Sequence, residues 1–304
     1  MTRISIAILH FGKIETTNKC LDSISKLNTD KIDLSVFVVN NDPGVVFPEI
    51  KSLGKTSIVV VNNKVNNGFS GGHNQGFEFS LKNNSDYHVV LNNDVTLDKD
   101  IIIEMVNCFK NNENVGIVSP KIYFSKGDEY HKNRYKKSDL GKVIWYAGGL
   151  TDWDNLINKH RGVDEVDEGQ YEDDIETGFA TGACAMLPAK IIKKIKGFDE
   201  RYFLYYEDGD LNMRIKDAGY RSYYCAKAKM WHKNAASSSS GSTLQDYYIS
   251  RNRMLFGFSY APLRTKIALS RESFKMLTSG RKWQKIGIRD FYMRRFGKGS
   301  YPIQ

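Results

Sequence analysis

Between Gly197 and Leu211 the chain sets Asp199, Glu200, Glu207, Asp208 and Asp210 around the aromatic run Tyr202-Phe203-Leu204-Tyr205-Tyr206, and about twenty residues later an apolar stretch closes on Trp231-His232. Carboxylates at the start of a helix are favoured by the free N–H groups of its first turn. One of them beside an apolar wall can take the proton of an attacking hydroxyl, and the aromatic run is read as that wall, shaped for a sugar. Asp208 is the candidate base. Asp210 stands four residues before Arg214 and reads as a supporting residue in a helix-face ion pair, whereas the fourth residue after Asp208 is Asn212.

Asn92-Asn93-Asp94 closes a second apolar stretch with two amides and one carboxylate. A hard divalent cation on a diphosphate takes only one or two protein carboxylates, because phosphate and water oxygens complete its shell. Asp94 alone therefore suffices to hold Mg2+ or Mn2+; the alternative is an Asx-turn before the helix that follows Asp98. His232 is either a structural hydrogen bonder or a metal ligand. The glycine-rich run from Gly68 to Gly76 lacks the G-x-G-x-x-G spacing and follows the third strand, which argues against a nicotinamide enzyme. Its glycines still let a ligand approach the backbone.

These residues need a scaffold, and the patterning predicts one. Ile4 to Leu9, Leu34 to Val39, Ser57 to Val61 and Tyr87 to Leu91 read as buried strands, and a helix with Cys20, Leu21, Ile24 and Leu27 on one side follows the first. Polar residues gather just past the strands, at Asn40 to Asp42, in a loop from Asn62 to Gly76, and at Asn92 to Asp94. Such alternation predicts an α/β fold with a mainly parallel sheet flanked by helices, and a ligand crevice beyond the carboxyl ends of its strands. After Pro120 the alternation weakens. Ser125 to Leu140 reads as an exposed loop, Asp164 to Glu176 as an acidic loop, Thr181 to Met186 and Lys227 to His232 as strands, Ala235 to Ser242 as a Ser/Gly loop, and the remainder from Thr243 as two or three helices.

A chain of 304 residues with 41% apolar content holds one large α/β domain with an appendage, or two small ones. Cys20, Cys108, Cys184 and Cys225 stand far apart without a CxxC pair, which speaks against a zinc knuckle or a disulfide framework and fits a reducing cytoplasm. The absence of a signal-like start and of a long apolar window predicts a protein neither secreted nor membrane-spanning. The net charge of +9 is concentrated in the tail, where Arg251 to Gln304 carries 13 Lys or Arg against Glu272 and Asp290. A basic tail on a near-neutral body points to an anionic surface, read as phospholipid headgroups and not nucleic acid. Trp283, Ile286, Ile288, Phe291, Tyr292 and Phe296, interleaved with basic residues, are expected to form an interfacial helix.

Together these residues resemble glycosyltransferase family 2, enzymes with the Rossmann-like GT-A fold, and in particular its bacterial rhamnosyltransferase-like branch. The resemblance spans roughly residues 3–258 and is carried by Val38-Val39-Asn40-Asn41, Asn67-Gly68-Phe69 with Asn74, Leu91-Asn92-Asn93-Asp94, Trp145-Tyr146-Ala147-Gly148-Gly149, Thr181-Gly182-Ala183-Cys184, Gly197-Phe198-Asp199-Glu200, Glu207-Asp208-Gly209-Asp210-Leu211, Trp231-His232, and Tyr248 with Arg251-Asn252. It implies a GT-A domain over 1–242, with a nucleotide-binding half at about 1–120 and an acceptor-binding half at about 121–242, followed by a basic helical region over 243–304. It further implies Asp94 as the metal-holding end of a DxD-type motif, His232 completing the metal shell, Asp208 as catalytic base, and Gly182 with Ala183 on the acceptor side. Asn40, Asn67, Gly68, Phe69, Asn74, Asn92, Asn93, Glu207, Asp210 and Arg251 are expected to line the substrates. Many members carry Asp where this chain has Asn40, whose amide oxygen can accept from the N3–H of uracil or thymine without charge assistance. The motif also begins with Asn92 in place of a carboxylate.

The activity so implied is an inverting, Mg2+- or Mn2+-dependent transfer of L-rhamnose or a related hexose. The donor is a dTDP- or UDP-sugar, and the acceptor a hydroxyl of a bacterial cell-surface glycan or lipid-linked intermediate, at the inner face of the cell membrane. Galactofuranosyl or other hexosyl transfer, and a non-catalytic subunit binding sugar nucleotide or glycan, stay open as alternatives.

Overall fold

The computed structural model describes residues 1–50, 52–233 and 242–303. In chain order the elements are β1 (Thr2–His10), α1 (Ile14–Ile24), β2 (Ile32–Asn40), β3 (Ser52–Leu53), β4 (Thr56–Asn62), α2 (Gly68–Lys82), β5 (Tyr87–Asn92), β6 (Val95–Leu97), α3 (Ile101–Asn111), β7 (Val115–Phe124), β8 (Ile144–Tyr146), β9 (Gly149–Asp152), β10 (Ile157–His160), β11 (Ile175–Glu176), β12 (Cys184–Pro188), α4 (Ala189–Ile195), α5 (Glu207–Asp217), β13 (Arg221–His232), α6 (Thr243–Tyr260), α7 (Leu263–Ser279) and α8 (Lys282–Tyr292). The main sheet runs in the order β11-β13-β7-β12-β5-β1-β2-β4-β3, with β6 on β13 and β8 on β7. Strands β4, β2, β1 and β5 are mutually parallel. Strand β12 then enters antiparallel between β5 and β7, and β13 runs parallel to β7.

The near-continuous apolar runs of the parallel strands are explained by helices on both faces. Val89 and Leu91 of β5 join a core with Cys20, Leu21 and Ile24 of α1 and Ile101, Ile102 and Met105 of α3. Val90, pointing to the other face, packs with Phe77 of α2, Ile191 and Ile192 of α4, and Leu211 and Ile215 of α5. The register pairs His10 with Asn40, Asn40 with Asn62 and Leu9 with Asn92, so the four parallel strands finish along one edge.

Two of the differences from the patterning concern how the sheet is built. The expected loop from Asn62 to Gly76 is a loop only up to Asn67; its glycines open α2, where a Cβ on Gly76 would collide with that of Ala7 on β1. Those glycines seat the helix against the sheet. Strand β7, masked in the sequence by Pro120, lies inside the sheet because Pro120 sits at the register break between Cys225 and Lys229 of β13, where a ladder N–H is dispensable.

The expected Ser/Gly loop lies outside the described residues except for Ser242, whose hydroxyl caps α6 by accepting from the Gln245 N–H at 3.2 Å. The C-terminal helices share a core with the body: Leu156 and Tyr202 pack with Met254, Phe256, Leu269 and Ile288. This overturns the interfacial reading of α8. Ile288 is buried, Phe291 and Phe296 pack on the same cluster, and Trp283 and Ile286 pack beside Tyr247 and Tyr248. The apolar side of α8 is engaged inside the protein.

Candidate active site

Helix α5 starts from an unusual turn. Tyr205 and Tyr206 both adopt left-handed backbone, with φ of 68° and 71°, a conformation that costs a non-glycine residue about 1–3 kcal/mol. Asn252 of α6 holds it, donating from Nδ2 to the carbonyls of Leu204 (2.8 Å) and Tyr205 (2.9 Å), while the Tyr206 hydroxyl donates to the Leu156 carbonyl at 2.8 Å. The turn sets Asp208 at the opening of the helix. Asp208 Oδ1 accepts from the Gly209 N–H at 2.8 Å and Oδ2 from the Gly182 N–H at 3.3 Å. Burial raises its pKa against the lowering effect of those backbone donors. That combination gives a carboxylate with more basicity than a solvated one.

Its neighbours have different environments. Glu207 is 7% exposed, and its Oε2 has no hydrogen-bond partner among the described residues. Burial first, then the charges of Asp208 and Asp210, push its pKa well above the ordinary carboxylate range. Asp210 accepts from Arg214 Nε at 2.7 Å and from the Tyr260 hydroxyl at 2.7 Å, which makes it the tie between α5 and α6. Tyr202 and Phe203, expected in an apolar wall, are instead buried, with Phe203 stacked on Tyr248 at 5.3 Å.

Asp94 lies in the turn between β5 and β6. Because β6 pairs with the end of β13, aligning His232 with Val95, the Asp94 Oδ1 comes within 3.2 Å of His232 Nε2. Neither ring nitrogen of His232 has a hydrogen-bond partner among the described residues, and Trp145 packs on the ring with centroids 4.7 Å apart. A buried imidazole that makes no hydrogen bond among the described residues and stands 3.2 Å from a carboxylate forms with it a donor pair that fits a divalent cation. The two ends of the site are joined through the segment that leads into β12. The Asn92 N–H donates to the Ala183 carbonyl at 3.0 Å, and the preceding residue is Gly182, which donates to Asp208. Phe69 covers the same place, since a Cβ on Gly182 would sit 3.0 Å from its ring and 3.6 Å from the Asp208 Cβ.

The remaining expected residues divide into those near this junction and those that brace it. Gly68, with φ of 71°, admits the Phe203 backbone where a Cβ would collide, and the Phe69 N–H donates to the Phe203 carbonyl at 2.7 Å. Asn74 Oδ1 accepts from the Phe198 N–H at 2.8 Å, and its Nδ2 donates to Glu200 at 2.8 Å. The Asn67 N–H donates to Asn41 Oδ1 at 3.0 Å, and Asn93 Nδ2 donates to the Thr17 hydroxyl at 3.0 Å. Asn40 does not face the crevice as expected. It is fully buried, donating to the Val45 carbonyl and to Asn62 Oδ1 while accepting from the Asp42 N–H. The substrate-lining expectation for Arg251 fails likewise: the side chain is buried and donates to the carbonyls of Gly297 (2.7 Å) and Arg201 (3.2 Å), pinning the C-terminal segment to the body. Patterning placed Asn41 among the polar residues at the strand ends and Asn252 beside Arg251 without giving either a role; Asn41 secures the loop before α2 through Gly68 O and Asn66 Oδ1.

The mainly parallel sheet flanked by helices on both faces is that of the GT-A class of glycosyltransferase folds. GalNAc-T7 with UDP, GalNAc and Mn2+ has this fold, with a TM-score of 0.65 and 12% identity over 95% of this chain and 54% of that one. The mannosyltransferase PcManGT from Pyrobaculum calidifontis, in complex with GDP-Man and Mn2+, gives 0.50 at 13% identity over 98% of this chain and 76% of that one. The sequence model described as "Glycosyltransferase like family 2" matches residues 2–257, and the chain belongs to that family.

Among curated relatives, the low-salt glycan biosynthesis hexosyltransferase Agl10 of Haloferax volcanii is 26% identical over 192 residues, 62% of this chain and 57% of that protein. An N-acetylglucosaminyl-diphospho-decaprenol L-rhamnosyltransferase of Mycobacterium tuberculosis is 39% identical over 61 residues, 20% of each chain. The match thus spans little more than half of the first relative and a fifth of the second.

Proposed function

We propose that the protein is an inverting, divalent-cation-dependent hexosyltransferase that moves L-rhamnose or a related hexose from a dTDP- or UDP-sugar to a hydroxyl of a cell-surface glycan or lipid-linked intermediate. The observation that carries this is the continuity from Asp94 and His232, through Asn92, Ala183 and Gly182, to Asp208. Asp94 and His232 would hold Mg2+ or Mn2+, which supplies positive charge opposite the diphosphate. Asp208 accepts the proton of the acceptor hydroxyl as its oxygen bonds to the anomeric carbon. The bond from that carbon to the diphosphate oxygen breaks on the opposite side, so one displacement inverts the centre. Burial and the neighbouring carboxylates raise the Glu207 pKa, which disfavours a second anion beside the developing alkoxide.

The mycobacterial relative's lipid-diphosphate acceptor supports the choice of acceptor, and the outer face of α7 supports a place at the inner membrane surface. Leu263, Ile267 and Phe274 are exposed there by 73%, 47% and 64%, and Arg264, Lys266, Arg271 and Lys275 accompany them on the helix. No helix among the described residues is long and apolar enough to cross a membrane, so this contact would be peripheral. Thermal-shift screening against dTDP-, UDP- and GDP-sugars with Mg2+ or Mn2+, followed by NMR of the product's anomeric centre, tests the reading. Donor and product of the same anomeric configuration would overturn inversion, and donor hydrolysis or transfer separates an enzyme from a binding subunit.

A further inference from the structure

A concavity lies beside the turn that carries Asp208, with Tyr206 in its lining. It has a volume of about 410 Å3 and is enclosed by α6, α7, α8, the β9–β10 turn and Tyr206. This falls within the range of about 300–1,000 Å3 typical of small-ligand clefts. Its lining is largely apolar, with Ile157, Ile249, Met254, Leu269, Met276 and Ile288. Ile157 is 47% exposed, so the groove opens to solvent at the β9–β10 turn.

The charges in the lining cancel. Arg253 donates to both oxygens of Glu272 at 2.8 and 2.9 Å, and Arg281 Nε donates to Asp246 Oδ2 at 2.6 Å. A groove whose charges are paired and whose remaining surface carries isoleucine, leucine and methionine side chains suits an uncharged, flexible chain. Tyr206 connects the groove to chemistry, because it belongs to the lining and immediately precedes Glu207 and Asp208. Leu269 and Met276 give α7 an apolar inner side, while Leu263, Ile267 and Phe274 fall on its opposite side at 100° per residue.

We propose that this groove binds the hydrocarbon chain of a lipid-linked acceptor, placing the acceptor's sugar beyond Tyr206 at Asp208. The proposal rests on the reading of the protein as a transferase to such an acceptor. It assigns to the C-terminal helices a part in recognising the substrate, in addition to any contact with a bilayer.

The test uses the full chain, with farnesyl phosphate and inorganic phosphate as calorimetric probes. Farnesyl phosphate should bind, and inorganic phosphate should bind at least about tenfold more weakly. Leu269→Trp, which fills the groove, and Ile157→Glu, which places a charge at its exposed mouth without touching the core, should each weaken farnesyl phosphate by about tenfold. Affinity for the nucleoside diphosphate with Mn2+ should stay unchanged in both. In kinetics, Ile157→Glu should raise KM for a lipid-linked acceptor relative to KM for a water-soluble glycoside of the same sugar. Equal farnesyl phosphate affinity in wild type and Ile157→Glu, or equal binding of the two probes, would overturn the groove while leaving transfer to soluble glycosides intact. Absence of transfer to every acceptor would instead remove the underlying transferase reading, and the farnesyl phosphate titration would still decide the groove.

Discussion

Replacing Asp208 by Asn isolates the proton-transfer step from the rest of the site. The carboxylate touches two backbone N–H groups, at Gly209 and Gly182, and the Asn amide keeps one acceptor for the shorter of these while losing the 3.3 Å contact. That loss is about 1 kcal/mol. Against it stands the removal of a buried charge. Burial raises the folded pKa of Asp208, so its stabilising effect is present below the unfolded pKa and lost as pH rises through the raised folded value. Above that value the ionised group is therefore a liability to stability, and there the Asn variant should melt at or above the wild-type temperature. Catalysis should respond differently. A positioned general base contributes about 10²–10⁴-fold, or about 3–5 kcal/mol of barrier, and kcat should fall by that factor while the affinity for nucleoside diphosphate with Mn2+ is kept. The wild-type rate should also fall as pH drops through the raised pKa, a limb missing from the variant's residual activity. Coupled detection of released nucleoside diphosphate, with and without acceptor, measures both. A variant with undiminished acceptor-dependent turnover would falsify the assignment of the base.

Asp94→Ala should weaken Mn2+-dependent nucleotide binding by at least about tenfold, and because His232 lies 3.2 Å away, the further loss from His232→Ala in that background should be smaller than its loss alone; additive calorimetric losses would separate the two residues. Glu207→Gln should flatten the pH dependence of stability: the raised Glu207 pKa predicts that wild-type urea midpoints decline as pH rises above the ordinary carboxylate range toward the raised value, and an identical decline in the variant would refute that source. Asn252→Ala removes both hydrogen bonds that hold the Tyr205–Tyr206 turn and should cost about 2 kcal/mol of stability, with a larger fall in kcat than in nucleotide affinity; a stability loss with unaltered kcat would make the turn irrelevant to aiming Asp208. Leu263→Glu combined with Phe274→Glu should reduce sedimentation with phosphatidylglycerol vesicles about tenfold or more, from lost apolar insertion and added negative charge, and unchanged sedimentation would remove α7 as the membrane face.

The parallel half of the sheet was legible because each strand's burial is written in its own residues, and because asparagines and aspartates mark the edge where Asn40, Asn62, Asn92 and Asp94 follow apolar runs. The ion pair of Asp210 with Arg214 was legible from their spacing of four residues, and it is present. What sequence alone determined was therefore local: periodicity, breakers and charge spacing act within a few residues of the chain. Which amide faces the crevice was decided elsewhere, since Asn40 is drawn inward by Val45 and Asn62, whereas Asn41 grips the start of α2. The pairing of His232 with Asp94 required β6 to add to β13, and the aim of Asp208 required Asn252 of α6 to hold two tyrosines in left-handed backbone. The aromatic side of α8, which by composition fits a lipid surface, was claimed by α6 because burying apolar area against a neighbouring helix satisfies the same hydrophobic demand. Such choices depend on which distant segments meet, and only the folded chain brings them together.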